Sequence, residues 1–263
     1  MDTYKIENMF PGELDEYLNL GQDRAVLPVG SIEQHGPHLL LGCDSYVAKM
    51  LADYTAQYSN SILFPLVPFS WIGGLRVWPG TIDIRSRNMG NYLEEVCLNI
   101  VEMGFKKLLL INCHGGGRIK VFSVARNVFK KTGIPIIGMF PWADTELSSI
   151  WNKYGIDDSG AHEACSMMGG LKKEGKEEIL NKVKKFTEKA LKEFGDKEVG
   201  KPASAKKASK MGEIGHDYLE ETRHVTPKEN VSADAGIAYN KAMAEELAEL
   251  MDELEEYHDQ IGI

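Results

Sequence analysis

Positive charge is scarce in this sequence. Its 30 Lys and Arg stand against 39 Asp and Glu, a formal net charge of −9. That balance excludes a nucleic-acid partner, because phosphate backbones are held by basic patches. The one basic cluster, Lys197–Lys210, is short and diluted by Ala, Ser and Gly, as expected of a solvated loop. Long hydrophobic runs are missing as well: no stretch of about 18 apolar residues occurs, so no helix is expected to span a membrane. The opening residues, Met1-Asp2-Thr3-Tyr4-Lys5, lack the basic start and apolar core of a signal peptide. Cysteine is sparse, with four residues and no C-x-x-C spacing, which is not a disulfide framework. Cys43, Cys113 and Cys165 neighbour motif residues, but small buried packing is the expected role. Together these absences predict a reduced, cytoplasmic enzyme. The 43% hydrophobic and 26% charged content fits an ordinary soluble domain.

What is present reads as alternating strands and helices. Arg24–Val29 is an apolar, β-branched strand, and a helix is expected from Asp44 to about Tyr58, with Asp44 as a candidate N-cap. Ile62–Phe69 predicts an irregular or edge strand because of Pro65 and Pro68. Ser86–Met103 carries Met89, Leu93, Val96, Ile100 and Met103 at helical spacing. Lys107–Ile111 is a continuous apolar strand of the kind covered on both faces. Helix Ile119–Thr132, strand Ile134–Phe140 and a helix to Tyr154 follow. Ser159 is a candidate N-cap for a helix with His162 and Glu163 in its first turn. Then come helix Gly175–Phe194 and a terminal helix Ala233–His258, with Ile237, Met243, Leu247, Leu250 and Leu254 as its buried stripe. Strand–helix repetition predicts an α/β fold: a three-layer α/β/α sandwich with a mostly parallel central sheet. We expect a single domain over residues 1–263, with 195–230 as a flexible or inserted segment.

The chemistry concentrates after the first strand, in Gly30-Ser31-Ile32-Glu33-Gln34-His35-Gly36-Pro37-His38 and on to Cys43-Asp44. Carboxylate oxygen and imidazole nitrogen are donors that zinc, manganese and iron accept. Alternation in an extended segment puts Glu33 and His35 on one side of the chain. A second histidine, His114, follows the third strand in Asn112-Cys113-His114-Gly115-Gly116-Gly117. Ligands in parallel α/β folds collect at the carboxyl ends of strands, where both loops lie. Glu33, His35, Asp44 and His114 therefore form either one closed tetrahedral zinc site or the core of a two-metal site. Ser70–Ile82, with Trp71, Arg76 and Trp78, is aromatic and glycine-rich enough to line a pocket wall.

Two competing motifs fail. His-Gly-Gly-Gly also forms an oxyanion loop in lipase-like hydrolases, but no Gly-x-Ser-x-Gly nucleophile elbow exists in this chain. Gly170 to Gly175-Lys176 has phosphate-loop spacing, but Glu177 replaces the required Ser or Thr and no strand precedes it.

The segments Leu27–Leu39, Asp44, Pro79-Gly80-Thr81-Ile82 and Ile111–Gly116 resemble the creatininase family, the creatinine amidohydrolases and their relatives. The likeness covers roughly residues 20–170 in motif order. It implies a three-layer α/β/α sandwich, assembly as a homo-oligomer (commonly a hexamer), and two divalent ions, variously zinc, manganese or iron. Carried over, Asp44 bridges the ions, Glu33 and His114 serve one, and His35 the other. Creatininase proper takes a further ligand from a glutamate two residues after the strand-end histidine, where this chain has Gly116. Relatives with the Gly-Gly form draw a carboxylate from a later His-Ala-Gly-x-x-Glu-Thr-Ser segment. Here that segment reads His162-Glu163-Ala164-Cys165-Ser166, so either three residues are missing after His162 or Ser159 stands in the histidine's place. Both alignments leave Glu163 as the fifth ligand; His162 is the expected proton shuttle. Arg76, Trp78, Gly115 and Gly116 are the expected substrate contacts. The absence of the family's usual Glu-His pair before Trp78 weighs against creatinine itself. The expected activity is hydrolysis of a C–N bond (amide, cyclic amide or formamide) in a small polar metabolite. Ring opening of an oxidised inositol, and a non-enzymatic role in binding or peptide maturation, are the alternatives.

Overall fold

A computed structural model of the chain describes residues 4–141, 147–156, 159–195, 225 and 227–263. Four parallel strands form its sheet: β1 (Arg24–Val29), β2 (Ile62–Leu63), β3 (Lys107–Asn112) and β4 (Ile137–Met139), in the order β2-β1-β3-β4. β2 is an edge strand of two residues, as the prolines require. After it the chain keeps contact through Val67 N–H donating to the Pro28 carbonyl at 2.9 Å. β1 and β3 pair over their full length, from Arg24 opposite Lys107 to Val29 opposite Asn112.

β3 is buried throughout and β1 from Ala25 onward, and their side chains alternate between two cores. Val26, Leu109 and Ile111 face one core, with helices α2 (Cys43–Tyr58), α6 (Ser159–Lys173), α7 (Glu177–Phe194) and α8 (Ala233–Ile261). Ala25, Leu27, Leu108 and Leu110 face the other, with α1 (Pro11–Asn19), α3 (Ser86–Glu102) and α4 (Arg118–Thr132). A short α5 (Ser148–Lys153) contributes the buried Trp151 to the first core. The sheet thus lies between two helical layers. Among the described residues, no helix is long and apolar enough to cross a membrane.

Several details depart from the sequence expectations. The N-cap of α2 is Gly42, not Asp44, which sits in the first helical turn. Met103 is exposed, and Cys97 and Val101 replace it on the buried face of α3. The terminal helix runs on to Ile261, and Tyr239, Met251 and His258 extend its buried stripe, whereas Ile237 is only partly covered. Most of the expected 195–230 segment, including the basic cluster, lies outside the described residues.

Glycines let α6 approach its neighbours closely. A Cβ on Gly236 of α8 would stand 2.0 Å from the Cys165 carbonyl oxygen, and one on Gly170 of α6 would stand 2.8 Å from the Tyr46 carbonyl oxygen. Asn240 secures the crossing by donating to Ser166 Oγ at 3.0 Å. The tight α2–α6–α8 layer carries the first turns of α6 over the start of α2. Gly236→Ala should gain about 1 kcal/mol of helix propensity but lose more in overlap, for a net loss of about 1–3 kcal/mol. Urea unfolding measures this directly; an unchanged midpoint would mean that the two helices separate freely.

Candidate metal centre

Because Val29 and Asn112 are paired, the loops after β1 and β3 leave the sheet side by side. Cys113 N–H donates to the Val29 carbonyl at 3.0 Å, which holds the two exits together. α2 docks close to the first loop: a Cβ on Gly30 would meet Ser45 Cα at 2.7 Å, and Ser45 Oγ donates to the Ser31 carbonyl at 2.7 Å. Glu33 and His35 from this loop, Asp44 from α2 and His114 from the second loop converge, all with 6% exposure or less.

His114 Nδ1 lies 2.8 Å from Glu33 Oε1 and 3.1 Å from Asp44 Oδ2. His35 Nε2 lies 3.3 Å from Asp44 Oδ1 and 3.8 Å from Glu33 Oε1. The two oxygens of Asp44 therefore face different imidazoles. The opposite nitrogen of each ring meets a backbone carbonyl, His114 Nε2 that of Trp71 at 3.0 Å and His35 Nδ1 that of Glu33 at 3.1 Å. A carbonyl only accepts, so those nitrogens carry the hydrogens. The lone pairs of His114 Nδ1 and His35 Nε2 then point at carboxylate oxygens. Only a proton or a cation between them makes that arrangement attractive. Ser31 Oγ donates to Asp44 Oδ2 at 2.8 Å and orients that carboxylate. Among the described residues, the buried Glu33 Oε2 and Glu163 Oε2 have no hydrogen-bond partner. The donor set suits cations of borderline hardness.

Electrostatics follow from this crowding. Burial alone would lower the His35 pKa, but Asp44 and Glu33 outweigh it and lift it to about 10. His114 is raised against its own burial by Glu33 and Asp44. Burial would raise Asp44, yet the two histidines hold it well below the usual carboxylate range. Glu33 is raised by burial, which its histidine neighbours only partly offset. Glu163 is pushed up to about 7 by burial, with Asp44 and Glu33 adding to the rise and His35 and His114 opposing it. It therefore belongs electrically to the cluster. His38 is buried and driven down to about 4, first by burial and then by His35.

The other expected residues are distributed around this cluster. His162 stacks on Trp151 with ring centroids 4.3 Å apart and planes 8° apart, and Trp151 stacks in turn on Tyr239 at 4.4 Å. Arg76 is exposed and Trp78 half-buried on a segment tied to the cluster by the Trp71 carbonyl. Thr81 Oγ1 adds a second tie by accepting from Gln34 N–H at 3.1 Å. A Cβ on Gly115 would meet nothing within 4 Å, whereas one on Gly116 would stand 2.5 Å from His114 Nε2 and 2.6 Å from the Trp71 oxygen. Gly116 is thus needed for the contact that orients His114, and no ligand side chain fits there. Sequence reasoning missed Ser31 and the Trp71 carbonyl. Ser31 shares the two-residue alternation of Glu33 and His35, while a backbone carbonyl leaves no sequence signal.

A family model for creatininase, described as creatinine amidohydrolase, matches residues 7–251. The chain belongs to the creatininase family. This creatininase-family chain is 31% identical over 98 residues to the 3-dehydro-scyllo-inosose hydrolase of Thermotoga maritima, covering 35% of the chain and 30% of that protein. It is 25% identical over 118 residues to the creatinine amidohydrolase of Pseudomonas putida, covering 41% and 45%. Over 97 residues it is 29% identical to the mycofactocin precursor peptide peptidase of Mycolicibacterium smegmatis, covering 35% and 39%. The matched stretches therefore span less than half the length of each of these relatives. Among solved structures, a mutant creatininase of Zn-Zn type has a TM-score of 0.70 at 14% identity, covering 95% of this chain and 98% of that one. A structure titled creatininase Mn gives 0.67 at 14% identity with the same coverage. These likenesses establish the creatininase fold.

The raised groups predict a pH signature for chelator-treated protein. The His35 pKa rises from 6.5 to about 10 on folding. Its contribution is therefore full below 6.5 and lost as pH rises through 10. Glu163 rises from 4.5 to about 7, so it too opposes folding increasingly as pH rises through that interval. Asp44, held low, stays ionised across this range. Thermal melts between pH 5 and 10 should show stability falling with pH in the chelated protein and a flatter profile after zinc is added. Identical profiles would mean that no cation enters the cluster.

Proposed function

We propose that this chain is a metal-dependent hydrolase that opens a C–N bond (amide, cyclic amide or formamide) in a small polar metabolite. The observation that carries this reading is Asp44, whose two oxygens face two imidazoles that are each oriented by a backbone carbonyl. Glu33, His114 and Asp44 would hold one divalent ion, and His35, Asp44 and Glu163 the other. Asp44 would serve both, as its oxygens face the two imidazoles. The Zn-Zn and Mn forms of the related structures support zinc or manganese as occupants. When bound, paired divalent ions lower the pKa of water and polarise a carbonyl.

The chain's own residues supply the rest. Ser31 holds Asp44 in the orientation that serves both histidines. Gly115 leaves open space beside His114 for the substrate, and Arg76 and Trp78 form the adjoining wall that recognises its polar groups. His162, restrained in plane by Trp151, receives a proton from the attacking water and delivers it to the leaving nitrogen. By family likeness the working form is a homo-oligomer, commonly a hexamer, and the expected compartment is the cytoplasm. Likeness to the Thermotoga maritima enzyme supports a second reading, ring-opening hydrolysis of an oxidised inositol. A role in binding or peptide maturation without catalysis is disfavoured by the buried ligand set. Burying two carboxylates costs several kcal/mol each, and a pure binder gains nothing from it.

Elemental analysis of protein purified without chelator should find two divalent ions per chain, and Asp44→Ala should lose both. At most one ion after metal soaking would overturn the dinuclear reading. A screen of lactams, formamides, other cyclic amides, keto-inositols and short peptides should find turnover that chelation abolishes. His162→Ala should keep both ions and lower kcat by about two to four orders of magnitude. Full turnover in that variant would remove His162 from the proton path.

A further inference from the structure

We propose that the Cys43 thiolate is a ligand of the ion held by His35 and Asp44, so that one position of the pair is softer than the other. This inference rests on the two-ion reading above. Cys43 is the first residue of α2 and is fully buried. Its Sγ, a ring nitrogen of His35 and a carboxylate oxygen of Asp44 all lie within 4.8 Å of one another. A tetrahedral ion with a metal–sulfur bond of about 2.3 Å and a metal–nitrogen bond of about 2.0 Å holds those two donors roughly 3.5 Å apart. A closure of at most about 1.3 Å therefore brings the thiol and imidazole into bonding range. Among the described residues the thiol makes one long hydrogen bond, to the Glu163 carbonyl at 3.9 Å. Little is lost when Sγ turns toward an ion.

Two further observations point to a ligand here. Glu33 is fully buried, and its Oε2 has no hydrogen-bond partner among the described residues. Glu163 Oε2 is likewise buried without one, and its residue's own carbonyl is what Cys43 Sγ contacts. The start of α2 and the start of α6 thus bring the thiol against the backbone of a residue that carries an unpartnered, buried carboxylate oxygen. The position of Glu33, Asp44 and His114 offers only nitrogen and oxygen. Adding sulfur to the His35 position makes it favour zinc or iron(II), whereas the other position accepts manganese as readily. Binding breaks the S–H bond and forms a metal–sulfur bond, the proton leaving to solvent.

The test is reconstitution of the chelator-treated full-length protein with cobalt(II). The protein should take up two ions per chain and develop both visible d–d bands and an intense near-ultraviolet thiolate-to-cobalt band. Cys43→Ser should abolish the near-ultraviolet band, keep the d–d bands and weaken one ion roughly ten- to a hundredfold. Cys97→Ser, in the opposite core, should leave the spectrum unchanged. Should Cys43→Ser fail to fold, X-ray absorption at the zinc edge of the wild-type protein decides the matter, with a sulfur scatterer at about 2.3 Å expected. Two bound cobalt ions with no thiolate band, or a band that survives Cys43→Ser, overturns the proposal and leaves the two-ion reading standing. No cobalt bound at all overturns both.

Discussion

Val29 lies opposite Asn112, and the centre depends on that register. The pairing of β1 with β3 fixes two things together: which side chains enter each core, and the height at which each loop leaves the sheet. Val26 and Leu109 face one layer while Leu27 and Leu110 face the other. A slip of one residue would invert both sets and move one loop by about 3.3 Å along the strand. It would also separate His114 from Glu33 and Asp44, which it approaches to 2.8 and 3.1 Å. Hydrophobic burial and site geometry therefore demand the same register. The cores stabilise an alignment that the polar cluster could not hold by itself.

The cluster strains the fold that carries it. Two carboxylates and two imidazoles are removed from water, and two of their oxygen neighbours are backbone carbonyls that already orient the rings. Those carbonyls decide which ring nitrogens remain available, so the peptide groups of Glu33 and Trp71 matter as much as the clustered side chains. Gly116 belongs to the same arrangement, because any side chain there would push Trp71 away from His114. The glycine tract after β3 serves this contact more than it serves chain reversal.

Much of this was legible from residue order. The β1 strand, its period-two Glu33 and His35, and the His114 loop on a parallel neighbour all followed from apolar runs and strand-end rules. The α/β/α layering followed from the strand–helix alternation. Asp44 was ambiguous, since an aspartate at a helix start serves equally as a cap; Gly42 takes the cap position and frees both Asp44 oxygens. The contribution of Ser31 lay hidden in an unremarkable hydroxyl, and that of Trp71 in a carbonyl that every residue possesses. Met243, Leu247 and Leu254 of the expected α8 stripe are buried, while Ile237 and Leu250 are only partly covered; Tyr239 and His258 add apolar bodies that a purely aliphatic pattern overlooks.

The position of Glu163 depends on glycine packing far from any motif. Gly170 admits the Tyr46 carbonyl and Gly236 admits the Cys165 carbonyl, so α6 is drawn tightly between α2 and α8. The Cys43–Glu163 contact at the two helix starts is a consequence of that packing. Since Gly116 has no room for a carboxylate, only another element can supply one. α6 is the helix that delivers a buried, uncompensated carboxylate, and its charge acts on His35. Gly116 thus lets the β3 loop close against Trp71, while the buried Glu163 carboxylate reaches the field of His35 from a different layer of the fold.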